Sequence, residues 1–183
     1  MSYRISKALL ILGELNNDDL NWMSRTGKKE ILPPGKTLIY EGQKINALYI
    51  VLKGILSVFL GEKELARIGK GEAVGEISFI DERPPLATVK AKEESLVFVI
   101  PRLQLTTKLE HDTAFASRFY HGISLCLANR MRGTVGRLGY GFELAQPEEI
   151  ELDKLSPTTL EHLKLAQAKF NWLKNFDTSV TLV

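Results

Sequence analysis

Between residues 75 and 88 the chain gathers residue types suited to holding a small anion. Gly75 admits close approach to the backbone, and Glu76-Ile77-Ser78 reads as the start of a short helical turn, where unpaired amides converge and the local dipole favours negative charge. Ile77 and Ser78 would present those amides. Ala87 is small enough to line a pocket wall, and Thr88 adds a hydroxyl donor for a phosphate oxygen. Taken alone, Glu76 and Thr88 would be an ordinary turn carboxylate and a residue on a strand face.

Such a site needs a rigid frame, and the surrounding pattern is that of short strands. From Glu30 onward, apolar β-rich runs alternate with turn residues: 30–32, 37–40, 48–52, 55–60, 66–68, 88–90 and 96–100, punctuated by Pro33-Pro34-Gly35, Gly54 and Gly69-Lys70-Gly71. Regular Gly and Pro punctuation between short strands argues for a sandwich or barrel. Asn17-Asp18-Asp19-Leu20 offers an N-cap and an acidic first turn for a helix through about Met23.

After Pro101 the periodicity becomes helical. Asp112 is the predicted N-cap of a helix in which Phe115, Phe119, Ile123, Cys126 and Arg130 recur at spacings of three and four, with Gly122 interrupting the stripe. Gly133, Gly136, Gly139 and Gly141 follow, and at about 1 kcal/mol each against alanine they are expected to fray or end that helix in a flexible joint. The alternative is a smooth glycine face for close helix contact. An acidic linker over 146–154 leads to Ser156-Pro157, a serine N-cap with proline at the first helical position, and a last helix to about Phe176. One stripe of that helix holds Leu160, Leu163, Ala166, Phe170 and Leu173. A second holds Leu165, Ala168, Trp172 and Phe176, so the barrel or a second chain must cover it.

Gly75 to Ile80 with Pro84-Pro85-Leu86-Ala87-Thr88-Val89 resembles the phosphate-binding cassette of cyclic-nucleotide-binding domains of the catabolite-activator-like type. Gly35-x-x-Leu38-Ile39-Tyr40-Glu41-Gly42 and Leu48 to Val58 around Gly54 are similar to the family's preceding hairpins, in the same order and spacing. The likeness covers roughly residues 10–130. It implies a mainly β fold, a jelly-roll β-barrel with flanking and C-terminal helices. The expected divisions are an N-terminal helical segment over 1–29, the barrel over 30–101, a helix of the same domain over 102–140, and a linker with terminal helix over 141–183.

The resemblance implies that Glu76 accepts a hydrogen bond from a ribose 2'-hydroxyl. It also implies that Phe115, Phe119, Ile123 and Cys126 carry a homodimer contact, for which the alternative is a stripe packed on its own barrel. One departure stands out. The family places an arginine, ion-paired with the cyclic phosphate, where this chain has Pro85. Its loss removes a charge-assisted contact of about 1.5–3 kcal/mol, roughly one to two powers of ten in affinity. Arg83, two residues away, is the possible replacement; the competing reading makes it a solvated loop charge. Without the cassette arginine, Glu76 must face water or find another donor.

The rest of the sequence excludes more than it adds. A net charge of +2 over 183 residues, without a basic run, gives no footprint for nucleic acid. Lys164, Lys169 and Lys174 spiral around the last helix, and there is room for only one substantial helix where a helix-turn-helix needs two, so direct DNA binding is not expected. The apolar run 8–12 is far short of a membrane span, and a single cysteine suits a reducing compartment; the expected location is cytoplasmic, without membrane contact. No nucleophile elbow, Walker loop or zincin motif is present, and His111, His121 and His162 all lie outside the barrel, which argues against a metal site or cofactor of the cupin kind.

These readings converge on a non-enzymatic regulatory or signalling protein, a divergent binder of a cyclic nucleotide or other small anionic ligand. A ligand-free interaction scaffold on the same fold is the main alternative, and a barrel enzyme a remote one.

Overall fold

The computed structural model describes residues 2–3, 8–138, 150–151, 156–177 and 180–182. A helical layer opens the chain: after the two-residue strand β1 (Ser2–Tyr3) come α1 (Ala8–Glu14) and α2 (Asn17–Thr26). The cap of α2 is Asn16, one residue ahead of the run singled out in the sequence. Its side chain accepts from the Asp19 amide while the Asp19 carboxylate accepts from the Asn16 amide, each at 2.9 Å, a reciprocal capping box.

The barrel follows as β2 (Lys28–Leu32), β3 (Thr37–Ile39), β4 (Ala47–Lys53), β5 (Leu56–Leu60), β6 (Lys63–Ile68), the short β7 (Ala73–Val74), a single 3-10 turn over Glu76–Phe79, β8 (Thr88–Ala91) and β9 (Ser95–Pro101). One sheet runs β2-β9-β4-β7 and the facing one β3-β8-β5-β6. Every expected strand is present; within 30–101, β7, too short to give a periodicity, is the addition. Two-residue alternation explains why β4 and β9 read as unbroken apolar runs. Leu48, Ile50, Leu52, Phe98 and Ile100 face the helices, whereas Val51, Val97 and Val99 point between the sheets towards Leu56, Val89 and Ala91.

Beyond the barrel come α3 (Arg102–His111), α4 (Thr113–Leu138), β10 (Ile150–Glu151), α5 (Pro157–Asn175) and β11 (Val180–Leu182). Asp112 caps α4, its carboxylate accepting from the Phe115 amide at 2.9 Å. The expected glycine joint is corrected in part: α4 passes through Gly133 and Gly136 without ending. A 26-residue helix already nucleated on the barrel tolerates propensity losses that would melt an isolated one. Gly139, Gly141 and most of the acidic linker lie outside the described residues.

Gly122 is not a break in the stripe. A Cβ there would meet Ile11 Cα at 2.7 Å, so glycine is what lets α1 cross α4 backbone to backbone. The helical layer is then locked by Arg118 on α4, which donates to both oxygens of buried Asp19 on α2 at 2.7 and 2.8 Å.

The stripe of α4 is the second correction. Phe115, Phe119, Ile123 and Cys126 are each at most 2% exposed and lie in the core with Leu9 to Leu12 of α1 and Leu15 just after it. The chain itself covers these four side chains, and none is presented to a second copy. The cover for α5 is settled the same way: Leu163, Ala166, Phe170 and Leu173 are buried in that core, and Lys70 of the barrel sits 5.7 Å over the Phe170 ring. Leu165 and Trp172, from the second stripe, stay exposed.

Two lysines tie the ends of these helices. Lys169 donates to the carbonyls of Gly13 and Leu15 at the end of α1, and Lys29 donates to those of Lys174 and Phe176 at the end of α5. Cations at helix C-termini satisfy carbonyls that have no partner within the helix. β11 then pairs in parallel with β2, extending the first sheet.

Candidate functional site

The site begins at the end of β7, where Gly75 turns the chain with φ +90°. That conformation is open to glycine at little cost, and a Cβ would also meet the Ala47 carbonyl oxygen at 2.8 Å. The turn Glu76–Phe79 is held from below: the Ser78 hydroxyl donates to the Gly75 carbonyl at 2.6 Å, and Arg102 donates to the Ser78 hydroxyl at 2.8 Å and to its carbonyl at 2.6 Å. The Arg102 guanidinium also lies 4.7 Å over the Phe79 ring, which meets Phe119 of α4 edge to face. Thus the first residue of α3 and the second turn of α4 both grip the turn.

Glu76 has found a cationic partner. Its carboxylate is 3% exposed and ion-paired with Arg130 of α4. The two ends of that pair sit on the cassette turn and on the helix that crosses it.

Around the turn opens a cavity of about 630 Å³. Gly75, Glu76, Ile77, Ser78, Arg83, Pro85 and Ala87 all line it, together with Arg130. Thr88 does not line it; its hydroxyl accepts from the Glu41 amide at 3.1 Å, fastening β8 to the loop after β3. Pro85 is fixed from the same side, its carbonyl accepting from the Gly42 amide at 2.9 Å.

Arg83 lies at the rim, its side chain 86% exposed and ion-paired with Asp81. Hydrogen bonds from the Arg83 side chain and amide hold the Asp81 carboxyl below its ordinary range, and the same pairing raises the Arg83 guanidinium. In this structure Arg83 is committed to its neighbour and does not reach back to the place of the missing arginine.

Sequence reasoning missed the roles of Arg102 and Arg130. Arg130 carried a signal, a cation at the end of an otherwise apolar stripe. Arg102, directly after β9, carried none.

The cyclic nucleotide-binding domain family model matches residues 29–112, from the second residue of β2 to just past α3, with this turn inside. Residues 29–112 belong to the cyclic nucleotide-binding domain family. The chain is 31% identical over 110 residues to the cyclic AMP receptor protein of Thermus thermophilus, across 57% of this chain and 49% of that protein. It is 28% identical over 131 residues to the mouse voltage-gated delayed rectifier potassium channel KCNH5, across 69% of this chain and 13% of the channel. The solved Thermus thermophilus catabolite activator protein superposes with a TM-score of 0.57 at 26% identity, covering 71% of this chain and 62% of that one. The chain therefore spans about half or less of these curated relatives. Among the described residues, no helix is long and apolar enough to cross a membrane, and no group of three acidic, histidine or cysteine side chains is placed to hold a metal.

Proposed function

We propose that this chain is a non-enzymatic regulatory module whose cyclic-nucleotide-type cavity has diverged from phosphate binding and whose output passes through α4. The observation that carries the reading is the Glu76 to Arg130 ion pair, which joins the acid of the cassette turn to that helix. With Pro85 in the arginine's place and Arg83 held on Asp81, the cassette presents no vacant guanidinium to a phosphate. The regulatory relatives support the coarser role, and the site geometry supports the divergence.

Cytoplasmic residence and the absence of direct DNA binding stay part of this proposal, as does assembly into a homodimer. The four buried stripe residues move the dimer contact to the outer side of α4, where exposed Tyr120, Ser124 and Met131 share one face at spacings of four and seven. Tyr120 and Met131 are 39% and 72% exposed there.

Calorimetry against cyclic AMP, cyclic GMP and cyclic dinucleotides tests the reading. The expected result is no saturation below about 100 μM, in line with the lost charge-assisted contact. Micromolar or tighter binding would show that the phosphate site still works.

A further inference from the structure

We propose that the cavity takes an uncharged, largely apolar small molecule bearing a hydroxyl or amine donor, in place of a phosphate-bearing one. This deepens the divergence proposed above and rests on it.

The lining charges decide the class. Among the described residues, three arginines, Arg67, Arg83 and Arg130, and three acids, Glu72, Glu76 and Asp81, line the cavity, so the cations are matched by acids. Each arginine is also already held by a carboxylate: Arg130 by Glu76, Arg83 by Asp81, and Arg67 by Glu64 at 2.9 Å. An entering anion would compete with buried Glu76 for Arg130, at the cost of weakening a pair whose acid has no water to turn to, whereas Arg83 and Arg67 are largely solvated at the rim and offer an anion only screened contacts. The hydroxyls offer little more, because Ser78 already donates to Gly75 and Thr88 lies outside the cavity.

The walls favour the opposite kind of guest. Ile39, Ile45, Val58, Ile68, Val74 and Val89 face the space, and about 630 Å³ falls in the size range of small-molecule sites, roughly 300–1,000 Å³. Burying an apolar body against these side chains is favourable without any charge exchange. One polar contact fixes its orientation: a carboxylate has about four acceptor positions, so Glu76 can take a donor from the guest while keeping Arg130.

A matched pair of dyes tests the class on the full chain. N-phenylnaphthylamine is uncharged with one N-H; anilinonaphthalenesulfonate has the same rings and a sulfonate. The expected result is one saturable site for the neutral dye, at least roughly tenfold tighter than for the anionic dye, unaffected by millimolar cyclic AMP and lost in Ala87→Trp, which fills the cavity. Since that variant can fail to fold, methyl NMR of the unaltered chain gives a second readout, with shifts expected at Ile39, Ile45 and Val89. Equal or tighter binding of the anionic dye, no binding of the neutral one, or shifts confined to other methyls overturns the ligand class and leaves the divergence standing. Micromolar cyclic AMP binding that displaces the dye overturns the divergence itself.

Discussion

Arg130 on α4 neutralises Glu76 at the head of the cassette turn, so a buried acid that the sequence leaves without its family partner is answered by a helix far along the chain. Removing one member of a buried pair is expected to cost more than removing both, because the survivor keeps its desolvation penalty. Arg130→Gln should therefore lower stability by about 2–4 kcal/mol, and adding Glu76→Gln should recover a large part of it. Chemical denaturation of the two single variants and the double variant measures the coupling. Additive losses would mean that the pair is not the link between turn and helix.

The crossing of α1 over α4 gives a second expectation. With Ile11 Cα 2.7 Å from where a Cβ would stand, Gly122→Ala already forces a backbone shift, and Gly122→Val forces a larger one. Overpacking of this kind typically costs about 1–3 kcal/mol, and valine should lie at the upper end. Melting temperatures in the order glycine, alanine, valine check it; an unchanged alanine variant would show that the helices have room to separate.

How far the sequence reached is visible in these two contacts. The strands were legible because glycine and proline mark their ends, and β4 and β9 because burial on both faces leaves them apolar throughout. The cassette residues were legible because they are contiguous, and seven of the eight line one cavity. A helical stripe reports that a face is covered without saying by what, so Phe119 read as an interface, with core as the alternative. Gly122 read as a defect because its reason lies on α1. Arg130 pairs across the tertiary structure, where local spacing carries no information.

The assembly prediction changes accordingly. Phe119 is 2% exposed and stacks on Phe115 at 5.8 Å, so Phe119→Asp should unfold the chain, at more than about 3 kcal/mol, and gives no clean test of dimerisation. Met131→Asp is the informative change: it should alter stability by no more than about 0.5 kcal/mol while shifting a dimer towards monomer in light scattering. A monomeric unaltered chain at high micromolar concentration would remove the homodimer from the proposal.

Lys169 gives a pH dependence with a definite sign. Burial lowers its ammonium below the ordinary 10.5, against smaller opposing effects of Glu14 and Asp19. The unfolded chain thus holds this proton to higher pH than the folded one, and stability from this group rises with pH through the window just below 10.5. Lys169→Met loses the bonds to Gly13 and Leu15 together with that dependence. The gap in melting temperature between the natural chain and the variant should widen from pH 8 to 10. A gap that narrows would reverse the assignment.

Restoring the cassette arginine tests the divergence directly. Pro85 lines the cavity, and its link to Gly42 runs through the carbonyl, which any residue keeps, so the Pro85→Arg side chain can enter the space while the loop stays fastened. The new guanidinium brings the surplus cation that the paired lining lacks, and a charge-assisted bond to a phosphate is worth about 1.5–3 kcal/mol. Because Glu76 is already held by Arg130, the new arginine should remain available to ligand, and cyclic AMP affinity should rise roughly 10-fold to 100-fold in calorimetry. The same variant should lose preference for the neutral dye over its sulfonate. A variant folded by circular dichroism that gains no cyclic-nucleotide affinity would show that the site has diverged in shape as well as charge, for the apolar walls would then exclude the nucleotide whatever stands at position 85.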